Sequence, residues 1–266
     1  MDWNQYLYPE NEKPLDRLVD GYSHTSIFHT IGFIGDSLSS GEFETRDAEG
    51  KAGYHDLYWY SWGQYIARKN GLTAYNFSKG GMSADCYIQH FGDMKGNWTQ
   101  GLWDPQNACQ AYVIALGVND LHNMHQPLGS MDDVNPDDWT KNAPTFLGYY
   151  GAIISRYKQI SPDAKFFLVT FPNDKLLENN KEVGMKAIEG LYALAKLFSN
   201  CYVIDLYQYG PVYDQEFEDN FFLHGHLSPA GYLLTAQLID SYIDYIVRHN
   251  PGDFKNVGFI NTGIPY

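Results

Sequence analysis

The sequence predicts an α/β fold, a three-layer α/β/α sandwich with a parallel sheet of about five strands. Three observations carry that expectation. Short apolar runs rich in β-branched and aromatic residues alternate with longer stretches of helical spacing, the pattern of strands joined by crossover helices. The runs are almost continuously apolar, as strands buried on both faces must be. Hydrophobic residues make up 44% of the 266, and no Gly/Ser/Pro linker divides them, so one domain spanning residues 1–266 is expected.

Residues 1–26 are polar and acidic, carry Pro9 and Pro14, and read as an arm. Strands are then expected at 30–35, 73–77, 112–116, 165–171 and 201–206. Helical spacing falls between them, at 58–69, 147–159 and 183–198, and after them at 229–247. The last helix is the best defined. Ser228 suits its N-cap and Pro229 its first helical position. Leu234 and Leu238 share one face, as do Ile239, Ile243 and Ile246. Irregular insertions at 98–107 and 124–142 follow the second and third strands, at the sheet edge where α/β proteins bind ligands. The tail, 251–266, has no periodicity; lying over the body and contacting a subunit are both open to it.

Charge excludes some partners. With 32 acidic against 18 basic residues the net charge is −14, and no basic stripe exists to bind nucleic acid or an anionic membrane surface. The N-terminus has no apolar segment of the signal-peptide kind and no run is long enough to span a bilayer, so the expected location is cytoplasmic. Cys86, Cys109 and Cys201 are odd in number and unpaired in spacing, which reads as reduced thiols.

The residues that carry chemistry stand at strand ends. The first strand runs into Gly35-Asp36-Ser37-Leu38, placing a serine at the carboxyl edge of the sheet. Serine needs a base to act as a nucleophile, and Asp and Ser also favour ordinary turns, so this motif alone decides nothing. After the second strand comes Lys79-Gly80-Gly81-Met82-Ser83, where a glycine lets a backbone N–H approach a ligand. After the third comes Gly117-Val118-Asn119-Asp120, whose Asn119 amide can face a developing oxyanion at the same edge. His226 lies two residues before the expected N-cap of the last helix, whose dipole would favour neutral imidazole, the form that accepts a proton.

Together these blocks resemble those of the SGNH, or GDSL-type, hydrolase family: Gly-Asp-Ser-Leu, a glycine, Gly-x-Asn-Asp, and a histidine followed here by Leu-Ser-Pro-Ala-Gly-Tyr. The resemblance runs from Ile31 to about Tyr245. It implies a flavodoxin-like sheet and a serine esterase, with Ser37 as nucleophile and His226 as base. The implied oxyanion hole is the Ser37 and Gly81 backbone N–H groups and the Asn119 side chain. Gly81 is preferred to Gly80 because Gly-Met-Ser fits the family's glycine block better.

One block departs from the pattern. The family's acid stands three residues before the histidine, where this chain has Leu223. A backbone carbonyl at or near Leu223 is the first reading for what orients the imidazole. The alternatives are Asp219, Glu218 or a carboxylate remote in sequence. His224 and His226 do not make a metal site, since catalytic metals take about three protein ligands; no metal or cofactor is expected. The expected substrate is a small-molecule or oligosaccharide ester, first of all an O-acetylated carbohydrate. Aromatics reach 16%, and Trp98, Trp103, Trp139 and the 54–62 stretch are candidates for a sugar platform. A thioesterase or lysophospholipase is the alternative within the class. A weakened acyl-carbohydrate binding protein is the alternative outside it, and acyl transfer to a sugar is a third.

Overall fold

The computed structural model describes residues 2–91 and 101–266. In chain order the first half holds β1 (Thr30–Gly35), α1 (Ser37–Ser40), β2 (Glu42–Arg46), β3 (Ala52–Asp56), α2 (Trp62–Asn70), β4 (Thr73–Ser78), α3 (Ala84–Cys86) and β5 (Ala111–Ala115). There follow α4 (Phe146–Ile160), β6 (Lys165–Val169), β7 (Asn173–Asp174), α5 (Lys175–Asn179), α6 (Lys181–Leu197), β8 (Cys201–Ile204), α7 (Leu206–Tyr209) and β9 (Val212–Tyr213). The chain closes with α8 (Gln215–Phe221), β10 (Phe222–Leu223), β11 (His226–Leu227), α9 (Pro229–His249) and α10 (Pro251–Phe254).

Five strands form one parallel sheet in the order β4-β1-β5-β6-β8. Side chains alternate across it. Ile31 and Phe33 of β1, Val113 of β5 and Phe167 and Val169 of β6 join α2 and α9 in one core. Tyr112 and Ile114 of β5 and Phe166 and Leu168 of β6 pack with α4 and α6 in the other. Both faces are dry, which is why the strands read as unbroken apolar runs. The five strands, the four long helices and the parallel topology are those the sequence predicts, with ends differing by a few residues.

The strand order places the topological switch between β1 and β5, the crevice where open α/β sheets bind ligands. The elements after those two strands carry the Ser37 and Asn119 blocks. Ser228 does cap α9, accepting from the Gly231 N–H, and Pro229 stands in its first turn. The tail lies on the body: Phe254, Val257 and Ile260 are buried, and Gln110 donates to the Val257 carbonyl. Among the described residues no helix is long and apolar enough to cross a membrane.

Three two-stranded pairs, β2–β3, β7–β9 and β10–β11, escape the sequence pattern of sheet and helices. Between α1 and α2, β2 and β3 form an antiparallel hairpin outside the main sheet, with Glu42 opposite Asp56 and Glu44 opposite Tyr54. Gly41 starts it in the left-handed region, at φ 76°, where a Cβ is disfavoured.

Candidate active site

Ser37 is the first residue of α1, immediately after the Asp36 N-cap. Asp36 accepts from the Leu38 N–H, and its backbone carbonyl takes the Ser39 and Ser40 N–H groups. The Ser37 N–H, an orphan of the first helical turn, has no protein partner among the described residues. Burial pushes the Asp36 carboxyl up to about 7, against the Leu38 N–H and His226, which pull it down.

Gly81 adopts a left-handed conformation at φ 75° and lines the same cavity as Ser37. Its N–H has no protein partner among the described residues, whereas the Gly80 N–H is engaged by Asp56. Asn119 donates one amide N–H to the Met82 carbonyl (3.0 Å) and accepts from Asn123 (2.7 Å). Its orientation is thereby fixed, and its second N–H is left over. Asp120 braces the arrangement: fully buried, it accepts from the Ala84 N–H at 2.8 Å and so ties the segment after β5 to the one after Gly81.

His226 opens β11, which pairs with β10 across the two-residue turn His224-Gly225. Its ring is not held by a backbone carbonyl at Leu223, nor by Glu218 or Asp219. Nδ1 faces Glu44 Oε2 at 3.3 Å and Nε2 faces Glu42 Oε1 at 3.0 Å. Glu44 also accepts from the Gly225 N–H at 3.0 Å and pairs with Arg46. Burial opposes its charge, but the Gly225 N–H, His226 and Arg46 outweigh it and hold the Glu44 carboxyl below its ordinary range. Glu218 and Asp219 look outward, to Lys175 and Gln215 respectively. The carbonyl reading is therefore corrected. The imidazole is held by carboxylates about 180 positions earlier in the chain, at |i−j| 182 for Glu44. The carboxylates around His226 act against the direction expected of the α9 dipole. Burial disfavours the imidazolium, yet Glu42 and Glu44 together raise its pKa above the ordinary value.

Ser37, Gly81, Asn119 and His226, from four separate segments, line one cavity of about 530 Å³ together with Glu42, Tyr54, Gly80, Asn123 and Asp174. A narrower apolar cavity adjoins it, sharing Asp36, Leu38, Val118, Pro172 and Tyr213 and extending past Trp62, Phe171 and Ile239. Among the described residues the Ser37 hydroxyl makes no hydrogen bond, to His226 or to any other group.

The sugar platform is largely not where the sequence suggests. Trp103 packs against Tyr87 and Tyr157 with Arg156 over its face, Trp139 stacks on the same guanidinium, and Trp62 is buried against Phe33. Trp98 lies outside the described residues. Tyr54 alone of the described candidates reaches the cavity, its ring edge-on to His226 at 5.6 Å. The residues missed from sequence are Glu42 and Glu44. Their signal was the alternation of Glu42-Phe43-Glu44-Thr45-Arg46 followed by a turn at Asp47–Gly50, which marks a hairpin.

Fold and site together define a class, the serine hydrolases of carboxylic esters. The chain belongs to the GDSL-like lipase/acylhydrolase family, whose sequence model matches residues 33–234. A sequence comparison with curated proteins found no match. Among solved structures it is similar to a family two carbohydrate esterase from Clostridium thermocellum in complex with cellohexaose, at 18% identity and TM-score 0.51, over 91% of this chain and 66% of that one. It is similar also to a family 3 carbohydrate esterase from the same organism, at 15% identity and TM-score 0.52, over 83% of this chain and 97% of that one. A possible lipase from Chitinophaga pinensis aligns at 17% identity and TM-score 0.51, over 84% of this chain and 98% of that one. At these identities the likeness is one of fold.

Proposed function

We propose that this chain removes short acyl groups, acetyl foremost, from esterified carbohydrates through an acyl-enzyme on Ser37. The observation that carries the reading is the convergence of Ser37, Gly81, Asn119 and His226 on one cavity at the switch point of the sheet.

In the proposed cycle the Ser37 hydroxyl attacks the ester carbonyl carbon and its proton passes to His226 Nε2. The oxyanion is received by the Ser37 and Gly81 N–H groups and the Asn119 amide. Collapse breaks the bond to the alcohol oxygen, which leaves with the proton from His226. Water then attacks the acyl-serine and gives its proton to His226. The second collapse returns a proton to Ser37 and releases the carboxylic acid. Glu44 holds Nδ1–H throughout, fixing the ring and stabilising the imidazolium that forms twice per turnover.

Carbohydrate as the alcohol is supported by the polar wall of Asn123, Asp174 and Tyr54, and by the carbohydrate esterases among the similar folds. A short acyl group is supported by the small size of the apolar cavity beside Ser37, which Trp62, Phe171 and Ile239 help to line. The test is a series of nitrophenyl esters from acetyl to octanoyl, then acetate release from acetylated oligosaccharides. Acetyl should give the highest kcat/KM, and Ser37→Ala should remove detectable turnover of every ester. A kcat/KM that climbs steadily with chain length would move the reading to a lipase or thioesterase. Normal rates in pure Ser37→Ala protein would end the nucleophile assignment.

A further inference from the structure

We infer that Glu42 is a positioning residue of this site, which holds the Nε2 N–H of His226 in the substrate-free enzyme in the place that the Ser37 hydroxyl must take. The inference rests on the proposal that Ser37 and His226 are nucleophile and base.

The geometry comes from the strand. Residues two apart on a β-strand share a face at a spacing of about 6.6 Å, and β2 presents Glu42 and Glu44 in that way, with the imidazole between them. An ionised carboxylate only accepts hydrogen bonds. A ring nitrogen 3.0 Å from Glu42 and its partner 3.3 Å from Glu44 are both satisfied only if both carry protons. In that state the ring is an imidazolium, and an imidazolium cannot accept a proton from serine. The Ser37 hydroxyl, without a hydrogen bond among the described residues, fits the same state.

Glu42 is held on the imidazole by its surroundings. Its side chain packs against Gly80, where a Cβ would collide with its Oε2. Its backbone carbonyl accepts from the Tyr232 hydroxyl of α9 at 2.7 Å. The groups facing His226 are Glu42 and Glu44 from β2, Tyr54 from β3 and Asp36 at the start of α1. Behind Glu42 stand Asp56 and Lys79, and behind Glu44 stands Arg46. β10 places the uncharged Leu223 opposite His226. Glu42 is the carboxylate on the nitrogen that faces catalysis, so its charge sets the pH at which that nitrogen becomes free.

The experiment measures kcat/KM on nitrophenyl acetate against pH for the wild type, Glu42→Gln and Glu42→Ala. In parallel the His226 imidazole is titrated by NMR, with folding checked by circular dichroism. Removing one of two flanking negative charges should lower the His226 midpoint by about one pH unit. The acid limb of kcat/KM should move with it, so that one pH unit below the wild-type midpoint the variants turn over about fivefold faster than the wild type. A His226 midpoint unmoved in both folded variants would overturn the inference. So would loss of activity at every pH in both, which would make Glu42 part of the reaction itself. If the midpoint moved and the kinetic limb did not, the hold of Glu42 on His226 would stand and the base assignment would fall.

Discussion

At the scale of single residues, the site turns on which carboxylate meets which imidazole nitrogen. Glu44 is almost fully buried, with its side chain 4% exposed, and is bonded to both the Gly225 N–H and His226 Nδ1. Glu44→Gln should therefore cost about 10²-fold or more in kcat with KM little changed, because a wrongly oriented ring loses its tautomer and its counter-charge. Asp219→Asn and Glu218→Gln, whose partners are surface side chains, should stay within about tenfold of the wild type. A collapse in Asp219→Asn with Glu44→Gln unaffected would reverse that assignment. Leu223→Asp restores the usual family acid in sequence only. Leu223 lies opposite His226 in the β10–β11 pair, but Nδ1 is already engaged, so turnover should not rise.

At the scale of elements, the β2–β3 hairpin is what delivers both glutamates. Its entry is Gly41 in the left-handed region, and a Cβ there would stand 2.7 Å from the Leu57 carbonyl oxygen. Gly41→Ala combines backbone strain with a collision against main chain, at a cost of about 1–3 kcal/mol. Because β2 carries Glu44, the variant should lose kcat as well as melting temperature. Thermal denaturation and kinetics at a temperature well below the transition separate the two effects. An unchanged kcat in a destabilised variant would mean the hairpin does not position the base. On the other side of the cavity Asp120 does the bracing, and burial pushes its carboxyl up to about 7. It is a structural group that links two loops, each carrying an expected oxyanion donor.

At the scale of the whole molecule, residues 12–27 are bound to the body through ions that do not line the cavity. Arg248 of α9, 2% exposed, pairs with Glu12 and Asp244, and Asp244 also takes the His24 N–H and ring nitrogen. Ser23 and Asn70 meet on Asp240, which also pairs with Lys69. Removing one member leaves the others buried and uncompensated, so Arg248→Ala should lower unfolding stability by about 3–5 kcal/mol. Its kcat at low temperature should be unchanged, as none of these residues lines the cavity. Burial alone would raise the Asp244 carboxyl, but His24 and Arg248 hold it well below its ordinary 3.8. A depressed acid stabilises the fold at pH values above its unfolded pKa. That contribution should be lost as pH falls from about 4 downward, and Asp244→Asn should flatten the acid limb of a stability–pH curve.

Periodicity was enough to read the sheet and its covering helices, and the resemblance of the Ser37, Gly81, Asn119 and His226 blocks to the family's motifs singled out residues that line one cavity, because each is a local pattern. Apolar runs record burial on both faces, and Gly-Asp-Ser or Gly-x-Asn-Asp record a turn at a known place. The acid of the site left no such mark. Glu42 and Glu44 sit in a short hairpin whose alternating charges look like any solvated strand, and they approach His226 only when β2 folds back beside β11. Trp103 and Trp139 fail as a platform for the same reason: sequence gives an aromatic ring, and packing decides whether it faces a cavity or Arg156. The sequence by itself determined the layers and the neighbourhood of Ser37. Tertiary structure decided the partners of His226, because a hydrogen bond between residues 182 positions apart has no periodicity to betray it.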